Sequence, residues 1–345
     1  MIGARDGKMI GLPPPYVVAF SGGADSTALL QMALEAAPDK VSAVHVHHGL
    51  QAAADDFAAH CEAFCRERNV PLTVLKVNAT AGAGQSPEDA ARRARYTALA
   101  EHVLKQEEQI AGIKSAQSAI DLIVNQPTAL LAQHADDQVE TLLLALSRGA
   151  GVDGLAGMAA QFERHGVQWA RPFLMQEHFM GSQQIRTWLA ERGFSARQPG
   201  SGNLGQGWVE DPTNQSLHFT RNRIRAQLLP ALAQVFPQYR DTFARTARNM
   251  AQAGELLAQS ATDLEARVGL PPNIKALQPL PRAAQANYLR HWLKTQHSTM
   301  GSEAQMNELI DQIAACTTRG HHIQIKLGAG FVQRDGDVLR FDPST

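Results

Sequence analysis

In the first half of the chain, short apolar runs alternate with segments whose apolar residues recur every three or four positions. That alternation builds a parallel sheet with crossover helices. Residues 16–20 (YVVAF) follow a proline stop, Pro13–Pro15, and lead through SGGADS into TALLQMALEAA. The order predicts a strand, a glycine-rich turn and a helix. VSAVHVHHGL (41–50) reads as a second strand, 55–68 as a helix and VPLTVLKV (70–77) as a third strand. A helix is predicted at SPEDAARRARYTALAEHVLKQ, capped by Ser86, with Pro87 at its first position and Glu88 and Asp89 in its first turn. Residues 106–127 are weakly patterned and read as a helical insertion ahead of a fourth strand, TALLAQ (128–133). A helix over 136–151, a fifth strand at QWARPFL (168–174) and a helix around 182–193 complete the pattern, before polar, glycine-laden sequence at 196–219.

From Thr220 the periodicity is helical through 294 and again over 302–316. The chain closes on alternating HIQIKL, FVQR and VLRF, separated by Gly328–Gly330 and Asp335–Asp337, which predicts a small antiparallel unit. The boundary between two domains falls near 225–235, giving a first domain over 1–228 and a second, mainly helical one over 229–345 with short antiparallel strands at its end.

Composition adds constraints. With 345 residues, 44% of them hydrophobic and 19% charged, the chain can bury two cores. Neither a secretion signal nor a spanning segment shows in the pattern, which places the protein in the cytoplasm with no membrane partner. A net charge of −1 argues against non-specific coating of nucleic acid, so such a partner must be met by a local cationic patch. Cys61, Cys65 and Cys316 are too few for a disulfide scaffold or a four-cysteine zinc site. Cys61 and Cys65, four apart on a helical pattern, read as packing side chains.

Three glycine patterns compete as a nucleotide loop. GAGVDG (149–154) and GSGNLG (200–205) both satisfy G-x-G-x-x-G, but neither is a strand-to-helix turn, and no Walker A motif occurs. SGGADS (21–26) is delivered by a strand and left by a helix, so its amides converge at a positive helix end that suits phosphate. Gly22 and Gly23 let backbone approach an anion, Ser21 and Ser26 offer hydroxyls around Ala24, and Asp25 can bind a magnesium ion carried by a nucleotide.

This hexapeptide resembles the S-G-G-x-D-S loop of the PP-loop ATP pyrophosphatases, which cleave ATP between the α- and β-phosphates. The resemblance implies an adenine nucleotide hydrolase-like, Rossmann-like α/β domain, ATP and Mg2+ as cofactors, and adenylation chemistry. Three further blocks narrow it: VHVHHGL (44–50), HADDQVETLLLALSRGAGVDGLAGM (134–158) and EDPTNQSLHFTRNRIRAQLLP (210–230), with ARRARY (91–96) beside them. They resemble the tRNA(Ile)-lysidine synthetases. Such enzymes often carry two histidines before the acidic pair, where this chain has Gln133 and then His134.

What the resemblance implies is a ligase that adenylates the 2-keto oxygen of the wobble cytidine in tRNA(Ile) with a CAU anticodon, after which the ε-amine of L-lysine displaces AMP. Asp136, Asp137 and Glu140 open a helix, and the step from Asp137 to Glu140 puts two carboxylates on one face. Expected roles are catalysis by Asp25, Asp137 and Glu140, and ATP binding by residues 21–26 with His45. Lysine and cytidine would be met by His134, Asp137 and Glu140, and magnesium by Asp25 and Asp137. His47 and His48 sit at the same rim, while Asp136 can be accounted for by helix capping alone. Arg92, Arg93 and Arg95, with Arg148, Arg221, Arg223 and Arg225, are the local cations, of which Arg92, Arg95, Arg148, Arg221 and Arg225 are expected to meet tRNA or pyrophosphate. The resemblance gives the second domain a part in tRNA recognition; composition alone suits packing or a homodimer equally. Two other functions keep the loop: a PP-loop tRNA thiolase of the 2-thiocytidine type, which would want reactive cysteines, and a non-catalytic nucleotide-dependent tRNA-binding module.

Overall fold

The computed structural model describes residues 12–47, 53–77, 87–112, 126–318 and 320–343. His48, the Ser86 cap and most of the 106–127 insertion lie outside them. The chain divides into two compact units, Met1–Ala150 with Gly154–Ala247 and Gly151–Asp153 with Arg248–Thr345.

The first unit is built on a six-stranded sheet in the order β3-β2-β1-β4-β6-β5. Its strands are β1 (Tyr16–Ala19), β2 (Val41–His47), β3 (Leu72–Lys76), β4 (Thr128–Leu130), β5 (Gln161–Arg164) and β6 (Val167–Ala170). All neighbours run parallel except β5, which pairs antiparallel with β6. β1 is an unbroken apolar run because helices cover both its faces. Tyr16 and Val18 join one core with Ala28 and Leu29 of α1 (Ala24–Ala36) and with Cys61 and Phe64 of α2 (Ala53–Glu67). Val17 points the other way, among Tyr96, Leu99 and Val103 of α3 (Pro87–Gly112) and Trp169 of β6.

β5 is an element the hydrophobic pattern did not predict. QFER is short, polar and mostly exposed, and it is held by a two-residue turn in which His165 and Gly166 both take positive φ. The fifth strand is also shorter than expected: only Val167–Ala170 pairs, and Pro172–Leu174 closes into a 3-10 turn. Within 196–219 a minimal parallel pair, β7 (Ala196–Arg197) with β8 (Trp208–Val209), interrupts the loop sequence. The helical stretch at 220–235 contains a π-helical turn, Ile224–Leu228.

The second unit carries most of the helix Tyr239–Val268, then Arg282–His297 and Glu303–Ala315, and an antiparallel sheet in the order β11-β10-β9. β9 (Gln324–Leu327), β10 (Gly330–Asp335) and β11 (Val338–Pro343) fall where the alternation placed them. Ser302 and Gln305 form a reciprocal capping box at Glu303. Leu289, Leu293, Leu309, Ile313, Leu327 and Leu339 form its core. Among the described residues no helix is long and apolar enough to cross a membrane.

Candidate active site

Strand order locates the site. From β1 the chain steps outward to β2 and β3, then returns to place β4 on the other side of β1, so the direction of winding reverses between β1 and β4. Ligands of such sheets bind outside the carboxyl ends of the strands at that reversal. Two strand-to-helix turns meet there: SGGADS after β1, and Gln133–His134 after β4, ahead of the helix Ala135–Ser147.

The first turn is shaped by its own side chains. Gly22 takes φ +82, and a Cβ on it would lie 3.1 Å from Cys61 Sγ and 3.2 Å from His60 Cδ2, so only glycine fits. Its carbonyl accepts from Val209 N at 2.8 Å, tying β8 to the loop. Ser21 N donates to Ser26 Oγ at 3.2 Å, and Ser26 Oγ donates to Gly23 O at 3.1 Å. Gly23 begins the helix without a side-chain cap. The first amides of α1, having no helical carbonyl to bond, are available to an anion. Under the loop, His45 Nδ1 pairs with Phe20 O at 2.9 Å, and burial keeps its pKa below the ordinary value.

The second turn faces the first across a short gap. His134 Nε2 lies 3.6 Å from Asp25 Oδ2 and 3.6 Å from Asp137 Oδ2, while the backbone N of His134 donates to Asp137 Oδ2 at 3.0 Å. Burial alone would depress His134, but Asp137, Asp25 and Asp136 outweigh it and push its pKa up to about 9. An imidazolium thus stands between two carboxylates. Asp25 Oδ1 is buried and has no hydrogen-bond partner, an acceptor left over for a ligand.

Asp137 and Glu140 share a cation. Arg225 donates through Nη2 to Asp137 Oδ1 at 2.6 Å and to Glu140 Oε2 at 3.1 Å, and its Nε bonds Glu140 Oε1. Arg221 Nη1 stands 3.8 Å from Glu140 Oε2. Arg221 and Arg225 are four apart and present one face to the carboxylates, whereas Arg223 between them bonds Thr220 Oγ1. Glu140 has no exposed surface; burial raises its pKa, and the two arginines oppose that rise.

The third acid is structural. Asp136 accepts from Ser182 N at 2.8 Å, Tyr239 Oη at 3.1 Å and Arg240 Nε at 2.6 Å. Burial would raise its pKa, but the Arg240 and Ser182 donors and the charge on His134 hold it below the ordinary value. It therefore joins three distant segments.

The remaining arginines separate. Arg148 ends the helix Ala135–Ser147, about 20 Å along the axis from its acidic start. Arg92 and Arg95 are exposed on α3, Arg92 lying 5.8 Å from the Tyr96 ring centroid. Two groups near the site gave no sequence signal. Arg171 is buried, donating to Gln133 Oε1 at 3.0 Å and Tyr96 Oη at 3.1 Å. Arg186 pairs with Glu210, which also accepts from Trp208 Nε1 at 2.7 Å. Cys61 and Cys65 are fully buried thiols, pushed up by desolvation, Cys65 to about 12.

The family model described as PP-loop domain matches residues 13–126 and 118–232, and the TilS substrate binding domain matches 273–339. The tRNA(Ile)-lysidine synthase of Polaromonas naphthalenivorans is 50% identical over 94% of this chain and 88% of its own length. The chain belongs to the tRNA(Ile)-lysidine synthase family. The synthase of Bordetella pertussis is 37% identical over 95% and 94% of the two chains. Among solved structures, a U34-tRNA thiolase from Methanococcus maripaludis matches 69% of this chain and 71% of its own with a TM-score of 0.50. At 13% identity that likeness extends to the fold alone. Membership in the lysidine synthase family makes the chain an ATP-using ligase that forms a carbon–nitrogen bond.

Proposed function

We propose that this chain joins L-lysine to the wobble cytidine of tRNA(Ile) bearing a CAU anticodon, in the cytoplasm, with ATP cleaved to AMP and pyrophosphate. In this reading residues 1–228 bind ATP and catalyse, while 229–345 recognise tRNA. The carrying observation is the meeting of an anion-binding helix start with a separate pair of carboxylates already answering a nitrogen cation.

The loop amides and the Ser21 and Ser26 hydroxyls grip the triphosphate. Cytidine O2 attacks the α-phosphorus, the Pα–O bond to the β-phosphate breaks and pyrophosphate leaves. The lysine Nε then attacks C2, the C2–O bond breaks, AMP departs and the amine loses a proton. His134 keeps a proton on Nε2 beside the reacting phosphate and lowers the cost of charge developing there. Asp137 and Glu140 hold the ammonium once Arg225 turns toward phosphate, and a carboxylate of this pair accepts the proton whose loss frees the amine to attack. Asp25, with its unpartnered buried oxygen, and Asp137 would hold Mg2+; bound there, it would neutralise phosphate charge.

Incubating the protein with ATP, labelled lysine and unmodified tRNA(Ile) tests the reading. Labelled tRNA is expected only in the complete mixture and only with the CAU anticodon. Unlabelled RNA in that mixture would refute it.

A further inference from the structure

The segment between β8 and the arginines that meet Glu140 is built to be rigid, yet it exposes apolar side chains. Asp211 Oδ1 accepts from both Thr213 N and Thr213 Oγ1 at 2.8 Å. Asn222, buried, donates to Thr213 O and to Ser216 O, each at 2.9 Å. What this pinned loop presents outward is Leu217, 48% exposed, and Phe219, 53% exposed, with the exposed His218 ring perpendicular to Phe219 at 5.5 Å between centroids. An exposed leucine alone would mean nothing. Here an aromatic face held by a fixed loop is followed at once by Arg221, Arg223 and Arg225.

We infer that Phe219, flanked by His218, is a stacking platform for an unpaired base of the substrate RNA neighbouring the one that reacts. Every base offers a π-face, and the combination of an open aromatic ring with adjacent arginines suits single-stranded nucleic acid. Phe219 precedes Arg225 by six residues, about 9 Å along a helix, so a base stacked on it lies within a few nucleotides of the carboxylates that Arg225 meets. Preset geometry lets the ring bind without paying to order a loop. The inference rests on the lysidine reading, and its test separates the two.

The experiment measures lysine transfer to unmodified tRNA(Ile) with the full chain carrying Phe219→Ala, Phe219→Leu, Phe219→Tyr or Phe219→Trp, with thermal unfolding and light scattering alongside. Phe219→Ala is expected to raise KM for tRNA by roughly 5- to 150-fold, the range a lost base–aromatic stack implies. Turnover at saturating tRNA and KM for ATP should stay within about twofold. Phe219→Tyr and Phe219→Trp should retain the low KM, and Phe219→Leu, apolar but without a π-face, should not. A leucine variant equal to wild type overturns stacking, and an alanine variant with unchanged KM overturns the platform, while labelled product from wild type leaves the ligase reading intact. A dimer that Phe219→Ala dissociates would make the patch a self-interface and overturn it too. If wild type yields no labelled tRNA, the lysidine reading fails and takes the platform with it.

Discussion

His134 carries the clearest linkage between charge and stability in the site. Its partners raise its pKa from the ordinary value near 6.5 to about 9, so the folded state binds a proton more tightly than the unfolded chain. The stabilisation is fully present below about pH 6.5 and is lost as pH rises through about 9, on the order of 3 kcal/mol in all. Chemical denaturation of wild type and His134→Gln across pH 6 to 9.5 should show the wild-type advantage shrinking with rising pH. Parallel profiles would contradict the assignment of a proton to His134. The residue itself was marked by its place before the acidic pair; its charge was not, because that depends on Asp25, more than a hundred positions away. Asp136 shows the same limit. Its position explains a helix cap, but its actual partners, Ser182, Tyr239 and Arg240, are 46, 103 and 104 residues distant.

At the scale of elements, the sequence made most of the sheet legible. β1 and the SGGADS turn were plain because an apolar run, two glycines and a helical period coincide. β5 was not, since its exposed QFER carries no alternation and is fixed by the His165–Gly166 turn. In the arginine run, periodicity places Arg221 and Arg225 on one face; that this face meets Glu140 needed the fold. The Asp136 joint also explains Gly181, at which a Cβ would lie 2.7 Å from Arg240 Nε and 2.9 Å from Asp136 Oδ2. Gly181→Ala should therefore cost about 1–3 kcal/mol of stability, read as a lower urea midpoint at unchanged slope. A midpoint within error of wild type would show that the joint tolerates the methyl group.

For the whole molecule, what the site has to explain is why the unbonded amides of a helix start and a carboxylate pair follow neighbouring strands, β1 and β4. The buried thiols of Cys61 and Cys65 serve sulfur transfer poorly, since burial pushes both up, Cys65 to about 12, and such a thiol is not a thiolate at neutral pH. In the proposed reaction, activation of RNA by ATP would use the SGGADS turn and attack of the amine would use Asp137 and Glu140. The most direct measurement follows phosphorus: protein, unmodified tRNA(Ile) and ATP labelled at either the α or the γ position, without lysine. The α-label should appear on the RNA and the γ-label in pyrophosphate, with Asp25→Ala giving neither and added lysine releasing the α-label as AMP. Transfer of the γ-label to RNA, or cleavage of ATP that needs lysine but no tRNA, would contradict adenylation of the base at this loop.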